Sequence, residues 1–379
     1  MNFELSDDQR MLQDTVQRLV ARDGSFEQRQ AVAASPLGWS RQLWARYAEI
    51  GLLALPFAAA QGGLDGTPVD LMIVFEALGR ALPQEPLLAS AVIAAAVLRD
   101  SGERWVPRIA AGELTLAWAH DEAQAHHHRF DVACSARAVD GGWRLDGRKS
   151  CVLHGDSAEL LLVSARIAGA RRDRDGLALF VVDAAAKGIE RETYRTHDGL
   201  PAADLQFTAL AVDAADAIGV PGEAAALIEA ASEAAIAALA AEAVGVMDSL
   251  LAQTVEYLKT RQQFGGPIGR FQALQHRCAE MLIALEQARS MAMYAALMLG
   301  EADAAERGKA LAAVKVQVGH AARFVGQQAV QLHGGIGVSA ECAIGQGFKR
   351  LTMIEQRFGD SEYHLAQFAR SGGFVEAAR

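Results

Sequence analysis

The chain has 379 residues, enough for two or three hydrophobic cores, and 51% apolar against 22% charged residues describes a globular protein with large buried interfaces. A formal net charge of -10 argues against a general nucleic-acid binder, the arginine cluster at 166–174 reading as an exposed loop. Cys134, Cys151, Cys278 and Cys342 show neither CxxC pairing nor metal-ligand spacing, so reduced thiols in a cytoplasmic setting are expected.

In chain order, Ser6-Asp7-Asp8-Gln9 is a capping-box pattern, and Leu12, Val16, Leu19 and Val20 then share one helix face. Helical spacing continues over 40–50, 69–82 and 89–101 and ends near Gly112. From Leu114 the pattern shifts to short apolar runs with Gly, Asp and Arg between them, which predicts strands at 143–145, 159–164, 177–182 and 205–212. Beyond Gly222 the spacing is helical again, over 223–261, 272–299, 304–332 and 343–358. The predicted fold is α+β and mainly helical: an N-terminal helical domain (1–113), a central antiparallel β-sheet or barrel domain (114–221) and a C-terminal four-helix bundle (222–379). Nothing at the start, Met1-Asn2-Phe3-Glu4, has the pattern of a signal peptide. The most apolar run, 234–241, is too short to cross a bilayer, so no membrane insertion is expected. Met281, Leu282, Leu285, Met291 and Met293 read as core or subunit contact. His126, His127 and His128 are adjacent in one loop and cannot easily converge on one ion, so no metal is expected.

The chemistry concentrates in two late segments. Arg261-Gln262-Gln263-Phe264-Gly265-Gly266-Pro267-Ile268 is closed by Gln272 and answered by Gln331-Leu332-His333-Gly334-Gly335-Ile336-Gly337. An arginine pairs bidentately with a pyrophosphate, an aromatic covers a flat ring, and paired glycines let backbone amides approach an anion. Together they read as a dinucleotide clamp.

These segments, in this order, resemble the acyl-CoA dehydrogenase family. The resemblance extends over nearly the whole chain through Gly51-Leu52-Leu53, Gln61-Gly62-Gly63-Leu64, Glu76-Ala77-Leu78-Gly79-Arg80, the hairpin 142–149, Ala243-Val244-Gly245 and Tyr257. It implies the family's fold and the FAD-dependent conversion of an acyl-CoA thioester to the 2,3-enoyl thioester. A carboxylate removes the α-proton while the β-hydrogen leaves as hydride to the flavin. It further implies that Arg261 binds the FAD pyrophosphate across a subunit interface, with Phe264 stacking near the adenine and Gln272 nearby. Gln331, Gly334 and Gly335 would hold the FAD of the adjacent protomer, so that sites are shared.

The resemblance breaks at the base. Many members carry Tyr-Glu-Gly-Thr before the last helix, where this chain has Phe358-Gly359-Asp360-Ser361, with Gly359 at the glutamate position and room expected above the flavin. The alternative position for the base, on the helix before Ala243, corresponds to Ala235, and the arginine that often meets CoA corresponds to Ile236. Asp360 is the preferred compensating carboxylate, with N-capping of the last helix as the competing role, and Glu233 is the second. Ser361 matches the family's threonine and is expected at FAD. Two flavin-facing segments depart as well, reading Ala117-Trp118-Ala119-His120-Asp121-Glu122 and Lys149-Ser150-Cys151-Val152-Leu153.

These departures resemble the smaller subunits of pimeloyl-CoA and steroid-type heteromeric acyl-CoA dehydrogenases. They imply an acyl-CoA substrate, an electron-transferring flavoprotein as acceptor, and either a homo-oligomer, dimer or tetramer, or an α2β2 assembly with a related large subunit. Two other readings stay open, a flavin-dependent acyl-CoA oxidase and a non-catalytic structural subunit.

Overall fold

The computed structural model describes residues 4–339 and 341–373. Six helices come first: α1 (Asp7–Asp23), α2 (Phe26–Ala33), α3 (Arg41–Glu49), α4 (Pro68–Gly79), α5 (Ala94–Val97, continuing a π-helical turn at Leu88–Ile93) and α6 (Val106–Ala110). Eight strands follow: β1 (Leu116–Ala119), β2 (Ser135–Val139), β3 (Gly142–Leu153), β4 (Leu160–Arg166), β5 (Leu177–Asp183), β6 (Ile189–Arg195), β7 (Pro201–Asp213) and β8 (Ala217–Gly222). The remainder is α7 (Ala225–Thr260), the short pair β9 (Gln262–Gln263) and β10 (Gly266–Pro267), then α8 (Gln272–Met298), α9 (Ala304–His333), α10 (Ala343–Gln356) and α11 (Ser361–Arg370). The α+β, mainly helical class expected from the sequence is the class observed.

Tertiary contacts gather the chain into two compact units, one from Met1–Gln30, Thr67–Pro83 and Ile236–Arg379, the other from Ala31–Gly66 and Gln84–Ala235. In the first, Ser6 Oγ accepts from Gln9 N–H at 3.1 Å while Gln9 Oε1 accepts from Ser6 N–H at 3.1 Å, closing the capping box read in the sequence. Gln9 Nε2 also donates to Asp70 Oδ1 at 3.0 Å, tying α1 to α4. Two of the quoted family segments meet where α4 crosses α7. A Cβ at Gly79 would run into the Glu242 carbonyl, and one at Gly245 into the Glu76 carbonyl, so glycine lets the two backbones touch. The buried Arg350 guanidinium donates to Glu242 Oε1 at 2.8 Å and to the Pro83 carbonyl at 2.9 Å beside that crossing. α8, α10 and α11 all pack on α9. By length and hydropathy α7 could cross a membrane, yet 78% of its most apolar window is buried inside the protein.

In the second unit the strands run in the order β6-β7-β3-β2-β4-β5-β8, with β1 joining β4 in parallel and its other neighbours antiparallel except for a single parallel bridge between β2 and β4. β4 and β5 are almost wholly buried, consistent with their continuous Leu, Val and Phe content. The sequence reading missed β6, whose Ile-Glu-Arg-Glu-Thr-Tyr-Arg carries no apolar alternation. It lies on the sheet edge, paired on one side to β7, and its charged side chains are the ordinary protection of an exposed edge.

Candidate cofactor and active site

The arginine segment and the glycine pair leave the helices at the same end. Tyr257, one turn before the end of α7, stacks on His333, the last residue of α9, with ring centroids 4.3 Å apart and planes 24° from parallel. His333 Nδ1 lies 2.8 Å from the Ala329 carbonyl, and burial holds its imidazole below the ordinary range, so a neutral ring donating to that carbonyl seats the stack. Arg261 follows within a turn. Its carbonyl accepts from Ile268 N–H at 2.9 Å, but its guanidinium is exposed and makes no pairing among the described residues.

Between them β9 and β10 form a hairpin around Phe264 and Gly265, both with positive φ, +54° and +82°, as a two-residue primed turn requires. Glycine suits such a turn and phenylalanine does not, since a left-handed L-residue costs about 1–2 kcal/mol. Arg270 holds the turn by donating to the Phe264 carbonyl, and its guanidinium lies 5.2 Å over the Phe271 ring. The outcome is a Phe264 ring left 78% exposed. Gln272 opens α8 and Gln331 lies near the end of α9, both exposed. Gly334 has φ +62°, whereas no positive φ marks Gly335, and a Cβ at either would meet nothing within 4 Å. Neither its backbone nor its neighbours among the described residues require Gly335 to be glycine. An unpaired cation, an exposed ring and an open glycine pair thus stand at one end of the helices, a donor set suited to a dinucleotide pyrophosphate and a flat ring.

The turn between α10 and α11 is built differently from what the sequence suggested. Phe358 and Gly359 have φ of +56° and +98°, reversing the chain so that Asp360 becomes the N-cap of α11. Asp360 Oδ1 accepts from Tyr363 N–H at 2.7 Å, so capping, the competing role, is the one seen. The room expected at Gly359 is filled: a Cβ there would lie 2.6 Å from Tyr363 Cδ1 and 2.7 Å from His364 Nε2. His364 cannot easily yield, because its Nε2 lies 2.8 Å from the Phe358 carbonyl. Ser361, expected at a cofactor, is 1% exposed and turned inward. Its N–H donates to Glu355 Oε1 at 3.0 Å, and a side chain on Gly319 of α9 would strike its hydroxyl. Ala235 and Glu233 are buried on α7.

Sequence reasoning missed two polar clusters. One joins the two segments of the sheet unit that depart from the family pattern. Lys149, 0% exposed, donates from Nζ to Glu122 Oε1 at 2.7 Å, Ser164 Oγ at 2.9 Å and the His120 carbonyl at 3.0 Å. His120 Nδ1 lies 2.9 Å from Ser164 Oγ. Burial first, and the Lys149 charge second, press its imidazole down to about 3, so it is a neutral ring accepting from that hydroxyl. Burial pushes the Glu122 carboxyl up, but Lys149 outweighs this and holds it below its ordinary value. Alternation along β3 was the available signal, since Leu145, Gly147 and Lys149 share one face. The other cluster surrounds Lys315 on α9, whose Nζ donates to the carbonyls of Ile354, Glu355 and Arg357 at 3.0, 2.9 and 2.8 Å. Among the described residues no group of His, Cys, Asp and Glu could hold a metal ion.

Comparison with known proteins agrees with this architecture. The models of the acyl-CoA dehydrogenase N-terminal, middle and C-terminal domains match residues 6–113, 115–210 and 225–373. The acyl-CoA dehydrogenase FadE12 of Mycobacterium tuberculosis is 29% identical over 320 residues, 80% of each protein. A variant of the Tcur3481-Tcur3483 steroid ACAD superposes with a TM-score of 0.87 at 29% identity, covering 96% of this chain and 97% of that one. The FAD complex of PigA reaches a TM-score of 0.90 over 98% and 99% of the two chains, at an identity of 23% that speaks to fold alone. The chain belongs to the acyl-CoA dehydrogenase family, oxidoreductases that act on the CH–CH bond of acyl-CoA thioesters.

Proposed function

We propose that this chain binds FAD at the joined ends of α7 and α9 and works in acyl-CoA α,β-dehydrogenation as one subunit of a heteromeric assembly. The observation that carries the reading is the outward-facing set of Arg261, Phe264, Gln331, Gly334 and Gly335, which among the described residues includes an unpaired guanidinium, an exposed ring on a left-handed backbone and a glycine that no neighbour requires. Arg261 would pair with the pyrophosphate, with Phe264 and Gln272 beside it, and the amides after Gln331 would receive the nucleotide of the adjacent protomer. When bound, FAD supplies the two-electron acceptor for the hydride leaving the β-carbon. The chain's own part is to bind and orient the cofactor and to enclose the reacting thioester.

Division of labour follows from the last turn. Position 359 has no space for a base, and one oxygen of Asp360 is engaged in capping. A companion chain with a carboxylate in that turn would complete the site, in keeping with the paired name of the Tcur3481-Tcur3483 steroid ACAD. An electron-transferring flavoprotein is the proposed acceptor, and the cytoplasm the proposed setting.

Co-purification with candidate large subunits, followed by α-proton exchange from an acyl-CoA thioester, tests the reading. Asp360→Asn keeps the cap, because asparagine caps helices as well as aspartate does. Loss of exchange in that variant assigns the base to this chain, whereas exchange at the wild-type rate assigns it to the companion. Dehydrogenation at full rate by the chain alone would refute the need for a companion.

A further inference from the structure

We propose that Lys315 is a positioning residue for the reaction, fixing from α9 the turn at 357–361 that carries Gly359 and Asp360. The proposal rests on the reading above together with the family resemblance, which puts this turn at the base position beside the flavin. Lys315 is 5% exposed, and all three N–H groups of its ammonium are engaged by the carbonyls of Ile354, Glu355 and Arg357. Carbonyls at the end of a helix have no partner within it, and the negative end of the helix dipole draws a cation there. The nearest carboxylate chemistry is directed elsewhere. Glu355 Oε1 accepts from Ser361 N–H at 3.0 Å and from Arg323 Nη2 at 3.1 Å, joining the far side of the same turn to α9.

The turn needs this hold. Phe358 and Gly359 are two consecutive residues with positive φ, a conformation that persists only when its surroundings impose it. Its entry is tied by Lys315, its middle by His364 Nε2 at the Phe358 carbonyl, and its exit by Glu355 and the Asp360 cap. Of these anchors only Lys315 acts on several backbone carbonyls at once from outside the segment 354–364. The charged or titratable groups around it are Glu355 on α10, Arg357 and Asp360 in the turn, His364 on α11 and Arg323 on α9. Burial presses its ammonium down to about 7, opposed by Glu355 and Asp360.

The test compares Lys315→Met and Lys315→Arg in the flavin-loaded enzyme with its companion chain, by hydrogen–deuterium exchange and steady-state kinetics. Lys315→Met is expected to speed exchange at 357–362 by about ten-fold or more while other segments keep their protection. It should lower kcat by about ten-fold or more, with KM for the thioester within about two-fold and flavin content unchanged. Lys315→Arg, which keeps a cation and donors, should recover part of both losses. Wild-type exchange in the turn, a rise spread evenly over the chain, or an arginine variant no better than methionine overturns the proposal. Should Lys315→Met not fold, Lys315→Gln is read in the same way. Failure of the functional reading would be distinct: the wild type would then hold no flavin or leave the thioester unchanged, while the exchange comparison would still decide whether Lys315 holds the turn.

Discussion

At the scale of single residues, the decisive position is Gly359. The family resemblance presents it as a glycine standing where a glutamate usually projects, with room left above the flavin. The structure gives a different cause: the backbone is left-handed there and the rings of Tyr363 and His364 occupy the direction a side chain would take. Restoring a carboxylate is therefore predicted to fail as a gain of function. Gly359→Glu should destabilise the protein by about 1–3 kcal/mol, combining backbone strain with displacement of His364. A denaturant titration checks this, and an unchanged midpoint together with new α-proton exchange would show the space to be real. The Asp360 alternative was legible in the sequence because Asp-Ser before an amphipathic segment is a helix-start signal. The Lys315 clamp was legible only in part. Leu311, Lys315, Val318 and Ala322 fall on one helix face, which marks a lysine among buried neighbours, but its carbonyl partners lie some forty residues away in the chain, beyond the reach of local pattern.

At the scale of elements, the long helices were readable from helical spacing sustained over many turns, with a side-chain cap adding to it at Asp303 but not at the start of α8. The expected helix at 304–332 appears as Ala304–His333, capped by Asp303, and the expected 272–299 as Gln272–Met298. Where the run is shorter, the reading weakened. The Ala-rich stretch expected as a helix over 89–101 is a π-helical turn followed by one short α-turn, and β6 escaped because its faces are both polar. The hairpin of β9 and β10 shows an element shaped against its own preference. Phenylalanine at the left-handed Phe264 position is costly for folding, so Phe264→Gly should keep or raise stability by about 1 kcal/mol while weakening flavin retention. Thermal unfolding of the cofactor-free protein and flavin titration separate the two effects. A variant that is less stable and binds flavin as before would show the ring to be packing material only.

At the scale of the whole molecule, the chain is an acyl-CoA dehydrogenase family member, and its departures fall at positions that the resemblance assigns to the base and to the flavin-facing segments. The glycine crossing of α4 and α7, the capping boxes and the buried Arg350 pair serve the scaffold. Within the outward set at the ends of α7 and α9, the Arg261 guanidinium and the bare Gly335 serve no internal purpose among the described residues, and from this follows the proposal that the set grips a dinucleotide. The most direct test is the flavin content of Gly335→Val, purified with its companion chain beside the wild type. Among the described residues nothing lies within 4 Å of a Cβ at that position, so the fold should be kept and the yellow cofactor lost. A folded Gly335→Val protein that retains the wild-type flavin complement would contradict the account.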